Sequence, residues 1–313
     1  MRQLVTLDLS CNALSGFLDA DSFSQFTLLR VCNLSFNTFE GTIPDVFHCM
    51  KELTHLNLSG NNLIGEIPRS ISCLVELQEL KLYCNQLSGE IPDCMSTLQN
   101  LMKVNLSQNR CGSAFLLPLL LYFLHDAMLI NYTVYRLTGG FNAFNRCAAL
   151  RSLELSENLL RGHIDMSVMG LRRLDVLYLQ HNKISGIIPP DLCLLTRLQR
   201  LNLSHNNIRG VLPHNIGDLV NLESLLLTGN NIIGPVPTSL ANLTKLKDFH
   251  VFRSYPSEMC AEPLAFNKNA FNRIYKFGPS VGVNSTVWDY QQLYGRERDD
   301  TDNDSVTIFS GLL

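Results

Sequence analysis

Hydrophobic and polar positions follow a pattern along most of this chain that returns about every 24 residues. Residues 53–68 read LTHLNLSGNNLIGEIP, and residues 77–92 read LQELKLYCNQLSGEIP. The spacing L-x-x-L-x-L predicts a short strand with alternate side chains buried, and the Asn and Gly that follow predict a turn. One such unit cannot bury its own apolar face. The pattern therefore predicts a stack of about ten coils, which is a solenoid.

An asparagine after each predicted strand marks the repeat. Successive markers are 25, 24, 24, 24, 49, 24, 24 and 24 residues apart. A buried Asn amide can bond main-chain groups that the turn leaves unpaired, so we expect a structural ladder that links neighbouring coils. Its predicted members are Asn12, Asn37, Asn61, Asn85, Asn109, Asn158, Asn182, Asn206 and Asn230.

Regular repeats are expected over residues 1–111 and 150–253, the last of them without its marker Asn. The step of 49 residues equals two repeats plus one residue, which predicts an irregular coil over residues 112–149. Two alternatives remain open there. One is a degraded coil with Tyr135 at the Asn position, and the other is an inserted segment.

Leucine becomes scarce after residue 248, where only four of the 56 leucines lie. Residues 249–294 nevertheless hold ten of the 26 aromatic residues. A disordered linker is poor in aromatic side chains, so we expect this segment to fold outside the repeat.

Charge and composition exclude several partners. The 25 basic and 28 acidic residues give a net charge of −3 without a basic run, so no nucleic-acid partner is expected. The longest apolar stretch, residues 114–124, contains Pro118 and is too short to span a bilayer. The first residues lack an apolar leader, which predicts either an intracellular chain or one whose true beginning is missing.

No motif for catalysis, a metal or a cofactor is recognisable. The eight histidines match none of the common hydrolase or metalloprotease patterns, and the ten cysteines lack metal-ligand spacing. Cys49 and Cys73 occupy equivalent positions in adjacent repeats, so a disulfide and two free thiols are both open. We therefore predict a binding protein that is not an enzyme.

The full form LxxLxLxxNxLxGxIP over residues 4–250 resembles the plant-specific class of leucine-rich repeats, found in receptor-like kinases, receptor-like proteins and polygalacturonase-inhibiting proteins. The resemblance implies an α/β repeat fold, a leucine-rich repeat solenoid whose strands line a concave sheet. It also implies an extracellular recognition module at the plasma membrane. Its expected partners are a peptide or small hydrophobic ligand and a co-receptor kinase.

Residues 267–275, Tyr294-Gly295 and residues 303–309 resemble the island domain of plant steroid and peptide receptors, such as brassinosteroid and phytosulfokine receptors. This resemblance implies an island over residues 254–304 and the start of a further repeat over residues 305–313, with a strand at 305–309. Family ectodomains carry cysteine-bearing caps, which are not seen here. We therefore expect a fragment without signal peptide, caps, transmembrane helix or kinase.

Side chains that alternate with the inward leucines are expected to face the concave surface in the last four coils. Five of them, Tyr178, Arg200, Leu226, His250 and Phe252, are predicted to form one stripe that leads to the island. In the resembled receptors the ligand lies between these two parts. The full set of ligand-binding candidates is Tyr178, His181, Arg200, His205, Leu226, Asp248, His250, Phe252, Arg253, Tyr275, Trp288 and Tyr290.

Eight Asn-x-Ser/Thr sequons would be glycosylation candidates in a secreted chain. They are Asn33, Asn57, Asn105, Asn131, Asn202, Asn242, Asn284 and Asn303. Two alternatives to a receptor remain open from the sequence. One is an enzyme inhibitor like the polygalacturonase-inhibiting proteins, and the other is a non-functional gene fragment.

Overall fold

A computed structural model describes residues 3–109, 137–138, 141–164, 170–251, 265–267 and 305–307. Its largest element is a parallel sheet of ten strands, one from each of ten coils, in which strands follow one another in chain order. We number the coils 1 to 10. Their strands are β1 (Thr6–Asp8), β3 (Val31–Asn33), β5 (His55–Asn57), β7 (Glu79–Lys81), β10 (Lys103–Asn105), β12 (Ser152–Glu154), β13 (Val176–Tyr178), β15 (Arg200–Asn202), β17 (Ser224–Leu226) and β19 (Asp248–His250).

The period-two pattern of the sequence sets the two faces of this sheet. The middle residue of each inner strand, such as Leu56, Leu80 or Leu201, is buried, and its two neighbours are at least partly exposed. Equivalent residues lie directly opposite one another, as Leu56 does with Leu80. The buried leucines thus form one continuous core along the stack.

Coils 1 to 5 and 7 to 9 each make a second short extended segment after the turn. These strands pair in separate small sheets: β2 (Ser15–Phe17), β4 (Thr38–Thr42), β6 (Asn62–Gly65) and β8 (Gln86–Leu87); β9 (Gly89–Glu90) and β11 (Leu137–Thr138); β14 (Ser185–Gly186), β16 (Asn207–Gly210) and β18 (Asn231–Ile232). The repeated Gly has a positive φ here, +86° at Gly210. A Cβ on Gly210 would lie 2.9 Å from Ile187 Cγ2 of the preceding coil, so space as well as φ requires glycine.

Short helices close the coils on the side away from the main sheet. Coil 1 has an α-helix, α1 (Ala20–Ser24), capped by Asp19, and later coils have 3₁₀ helices. The 3₁₀ helices are η1 (Phe47–Cys49), η2 (Arg69–Cys73), η3 (Asp93–Thr97), η4 (Phe141–Phe144), η5 (Pro190–Leu194), η6 (Ile216–Asp218) and η7 (Thr238–Asn242). Proline precedes η2, η3, η5 and η7 with φ between −60° and −72°, the range that its ring imposes.

The asparagine ladder is confirmed. Asn61 Nδ2 donates to Leu58 O of its own coil and to Leu34 O of the preceding coil, both at 3.0 Å, and its Oδ1 accepts from Phe39 N at 3.1 Å. Members from Asn37 to Asn230 are buried and bond groups of the preceding coil. Asn12 is exposed and donates within its own coil.

The step of 49 residues contains one coil and an inserted segment. Strand β10 pairs directly with β12, and Asn158 Nδ2 donates to Leu106 O as an adjacent coil would. Leu137 lies opposite Gly89 and donates its N–H to Asn158 Oδ1, as the second residue after a ladder Asn does elsewhere. The degraded-coil alternative, with Tyr135 at the Asn position, is therefore wrong, because no strand of the main sheet lies between β10 and β12.

A strand is present within the predicted range 305–309, but its pairing differs from a repeat. Strand β21 (Ser305–Thr307) pairs antiparallel with β20 (Ala265–Asn267), whereas successive coils pair in parallel. Strands β20 and β21 form a separate sheet of two strands and are not part of the main sheet. The other residues predicted to form the island lie outside the described residues.

Candidate functional site

The register of the main sheet arranges the first and last residues of the strands in coils 7 to 10 into two rows. The first row holds Val176, Arg200, Ser224 and Asp248, and the second holds Tyr178, Asn202, Leu226 and His250. All eight are at least partly exposed. The single predicted stripe is therefore wrong at Arg200, which lies in the first row because it begins its strand, whereas Tyr178, Leu226 and His250 each end one.

A third row extends the same ladder of hydrogen bonds beyond the carboxyl ends of the strands. The residue before each ladder Asn has a left-handed backbone, with φ between +52° and +74°. This left-handed row consists of Cys11, Phe36, Gly60, Cys84, Gln108, Glu157, His181, His205 and Gly229. This conformation costs each non-Gly residue of the row about 1–2 kcal/mol.

Sequence reasoning selected His181 and His205 but missed that they belong to this row. Their rings stack, with centroids 4.3 Å apart and planes 8° from parallel. Burial, followed by the charge of His181, lowers the pKa of His205 because both disfavour its protonated form. Glu157 and Gly229 occupy the row on either side of the pair.

The middle of the left-handed row is polar. The Cys84 thiol donates to Gln108 Oε1 at 3.0 Å, and Gln108 Nε2 donates to Glu157 Oε1 at 2.9 Å. Beside them in the second row, Asn105 Nδ2 donates to Glu154 Oε2 at 2.8 Å. The first bond joins coil 4 to coil 5, and the other two join coil 5 to coil 6 across the insertion.

Coils 4 and 5 carry a cluster of three charged side chains on the exposed face. Glu79 pairs with Lys81 of its own strand and lies 3.7 Å from Lys103 Nζ. Burial acts to raise the pKa of Glu79, but the hydrogen bond from Lys81 and the charges of Lys81, Lys103 and His55 outweigh burial, so the pKa is lowered. The carboxylate stays ionised between its two lysines.

Coils 2 to 4 carry an aromatic pair that sequence reasoning did not select. Phe36, in the left-handed row, and Tyr83 meet edge to face, with centroids 6.3 Å apart and an interplanar angle of 70°. Phe36 is 50% exposed. The sequence did contain a sign of this pair, because Phe36 is a bulky residue directly before a ladder Asn. Gly60 and Gly229 occupy that position in other coils.

The remaining predicted sites divide by location. Asn33, Asn57, Asn105 and Asn202 are in strands of the second row, each accepting at Oδ1 from the backbone N–H two residues on, and Asn242 is exposed in η7. Cys49 and Cys73 are free thiols, so the disulfide alternative is wrong. Candidates outside the described residues are Phe252, Arg253, Tyr275, Trp288, Tyr290, Asn131, Asn284 and Asn303.

The described part of the chain lacks two features. It holds no group of three His, Cys, Asp or Glu side chains arranged to bind a metal ion. Within the same residues, no helix has the length and apolar character needed to cross a membrane.

Comparison with known proteins agrees with this geometry. One leucine rich repeat family model matches residues 2–63 and 188–232, and another matches residues 76–98 and 173–195. The Arabidopsis receptor kinase HAESA, solved with the peptide hormone IDA and the co-receptor SERK1, is 30% identical with a TM-score of 0.69. The match covers 80% of this chain and 38% of that chain, so this chain spans well under half of HAESA's length.

Two further structures are similar. A plant ice-binding protein is 26% identical with a TM-score of 0.57, over 82% of this chain and 76% of that chain. A TDR receptor is 22% identical with a TM-score of 0.61, over 80% of this chain and 44% of that chain, and shows the fold alone. No curated protein sequence matches.

Ten stacked coils, a continuous leucine core and an asparagine ladder define a leucine-rich repeat solenoid. Over 80% of its length the chain is similar to the leucine-rich repeat ectodomain of the plant receptor kinase HAESA.

Proposed function

We propose that this chain is a recognition module that binds a peptide on the exposed face of its main sheet in coils 7 to 10. One observation carries the proposal. Tyr178, Leu226 and His250 lie in one row, Arg200 lies in the next, and the stacked His181–His205 pair flanks them. Aromatic and Arg side chains are the residues that most often anchor an interface.

The shape of this surface favours an extended ligand. Neighbouring strands lie about 4.8 Å apart, so the four coils offer a track roughly 15 Å long. The scaffold beneath it is held by the ladder and core, so binding requires little ordering of the receptor. HAESA, which this solenoid resembles, was solved with a peptide hormone, and that likeness supports a peptide over a small hydrophobic ligand.

The same likeness supports a signalling role at the extracellular side of the plasma membrane. HAESA was solved together with the co-receptor SERK1. We therefore propose a co-receptor kinase as the second partner of the complete receptor. No catalytic role is proposed for the described residues.

A displayed library of 12-residue peptides tests the proposal without a known ligand. The wild-type chain is compared with Tyr178→Ala/Leu226→Ala, and Leu194→Ala in η5 is the matched control, because Leu194 is exposed on the opposite side. Peptides enriched on wild type should bind the control equally and lose at least about tenfold affinity for the double variant. Equal affinity for all three chains, each with an unchanged melting temperature, would overturn the proposal.

A second candidate function, ice binding, rests on a different surface. Ile187 and Val211 are exposed at equivalent positions that flank the small sheet of coils 7 to 9, and the plant ice-binding protein matches most of this chain. A regular row of aliphatic side chains is a suitable surface for ordered water, although Arg209 interrupts it. Inhibition of ice recrystallisation that Ile187→Lys/Val211→Lys abolishes would establish this function, and no inhibition by the wild type would dismiss it.

A further inference from the structure

Phe36 is an unusual residue for its position. Its φ of +54° is a conformation that bulky side chains rarely adopt, and His, Gln and Glu occupy it in coils 5 to 8. Core packing does not explain the Phe36 ring, because the ring is half exposed and is not part of the buried core. A strained position that keeps an exposed aromatic ring points to a role for that ring at the surface.

The neighbouring coils are adapted to this ring. A Cβ on Gly60 would lie 2.7 Å from Phe36 Cδ1, so glycine in coil 3 leaves the space that the ring occupies. Tyr83 of coil 4 meets the ring from the other side of coil 3, in the edge-to-face geometry that aromatic pairs prefer. Ser35, Ser59 and Ser107 occupy the position of Tyr83 in other coils, so the second ring is also particular to this place.

Several polar groups in the coils that carry the rings are already hydrogen bonded. Ser35 Oγ donates to Asn33 Oδ1 at 2.7 Å, Asn33 Nδ2 donates to Asp8 Oδ2 at 3.1 Å, and Asn57 Oδ1 accepts from Ser59 N at 3.1 Å. A sugar ring would need several free hydrogen-bonding partners here. An apolar side chain needs only the exposed ring surface.

Charge lies next to the rings. Lys81, two residues before Tyr83, and Lys103 of the next coil share the single carboxylate of Glu79, and the Lys103 side chain is 61% exposed. Two cations against one carboxylate leave a net positive charge in coils 4 and 5, on the Tyr83 side of the pair, whereas the Asp8 carboxylate lies on the other side, in coil 1. A ligand residue at this place is therefore favoured if it is acidic.

The distance to coils 7 and 8 suits one ligand. Phe36 and His181 are five strand spacings apart along the sheet, which is about 24 Å. An extended peptide covers that distance with about seven residues.

From these observations we propose that Phe36 and Tyr83 form a second subsite, which takes an apolar side chain of an extended peptide that also carries an acidic residue facing Lys81 and Lys103. This inference rests on the proposed function, since it assigns a further contact to the same peptide. It adds a specificity requirement that coils 7 to 10 do not impose.

The test repeats the selection from the 12-residue peptide library on Phe36→Gly and Tyr83→Ser. Both replacements are residues found at the same positions in neighbouring coils, so both variants are expected to fold. Val75→Ala, an exposed change on the opposite side, is the matched control. Wild type and control should select an apolar position near an acidic one, and each variant should lose the apolar preference and bind wild-type-selected peptides about tenfold more weakly.

Lys103→Ala tests the charge contact separately from the aromatic contact. Peptides selected on this variant should lose the preference for an acidic residue and keep the preference for an apolar one. An unchanged consensus and affinity for Phe36→Gly and Tyr83→Ser would overturn the inference. If Tyr178→Ala/Leu226→Ala still loses binding in that case, the proposed function stands alone. Failure of the wild type to enrich any peptide would overturn both.

Discussion

Coils 1 to 5 and coils 6 to 10 share one scaffold and present different surfaces. Both halves bury equivalent leucines and the same asparagine ladder. On the exposed face, the first half carries the Phe36–Tyr83 pair and the two lysines that contact Glu79. The second half carries the His181–His205 stack and the row from Tyr178 to His250. Repetition therefore marks what the fold requires, and departures from it mark what a ligand could distinguish.

The largest loss of stability is expected from substitutions in the asparagine ladder, which both halves share. Asn85→Ala and Asn182→Ala each remove bonds to their own and the preceding coil and leave buried main-chain groups unpaired. Each should lower the free energy of unfolding by about 3 kcal/mol, measured by chemical denaturation. Asn12→Ala is the control, because Asn12 is exposed, and a loss there as large as at Asn182 would contradict the ladder.

A smaller effect is expected at the repeated glycine. Gly210→Ala introduces a Cβ 2.9 Å from Ile187 Cγ2 at a φ of +86°, and should cost about 2 kcal/mol of stability. Gly162→Ala also has a positive φ but meets nothing within 4 Å, so it should cost about 1 kcal/mol. If denaturant titrations gave the two variants equal losses in the free energy of unfolding, the contact of the new Cβ with Ile187 would contribute nothing.

Substitution by glycine in the left-handed row should raise the free energy of unfolding instead of lowering it. Phe36→Gly relieves backbone strain without emptying the core, so we expect a gain of up to about 1 kcal/mol in the free energy of unfolding. His205→Gly should give a similar gain in the second half, reduced by the loss of the ring stack. A clear loss of stability in Phe36→Gly would mean that the ring is structural, and would remove the reason to assign it to a ligand.

The smallest effect is the loss of stability between pH 7 and pH 5 that His205, in the second half, should cause. The pKa of His205 is lowered in the folded chain, so near and below pH 6.5 the unfolded chain binds more protons. Stability from this group is therefore present above the unfolded pKa and is lost as the pH falls. The melting temperature of the wild type should drop more between pH 7 and pH 5 than that of His205→Gln, and an equal drop would contradict the effect.

The repeat made much of the fold predictable. The spacing of Leu, Asn and Gly located the strands and the ladder, because each coil solves the same packing problem with the same residues. The step of 49 residues was ambiguous, since residue counts alone do not distinguish an insertion from a degraded coil. The pairing of β10 with β12 decided it.

The site was predictable only in part. Alternation along each strand selected Tyr178, Arg200 and His250 as exposed, but one row was expected where the register gives two. The island residues, the polygalacturonase-inhibitor alternative and the gene-fragment alternative remain predictions. A pull-down from a cell-wall extract that recovers a pectinase would favour the inhibitor.

The sequence by itself determined the repeated coil, the buried face and the ladder, because those depend on contacts that recur at a fixed spacing. Only the tertiary structure decided which side chains meet across coils. Phe36 reaches Tyr83 over Gly60, and His181 stacks on His205, because parallel register and a left-handed backbone bring residues about 24 or 47 positions apart within contact.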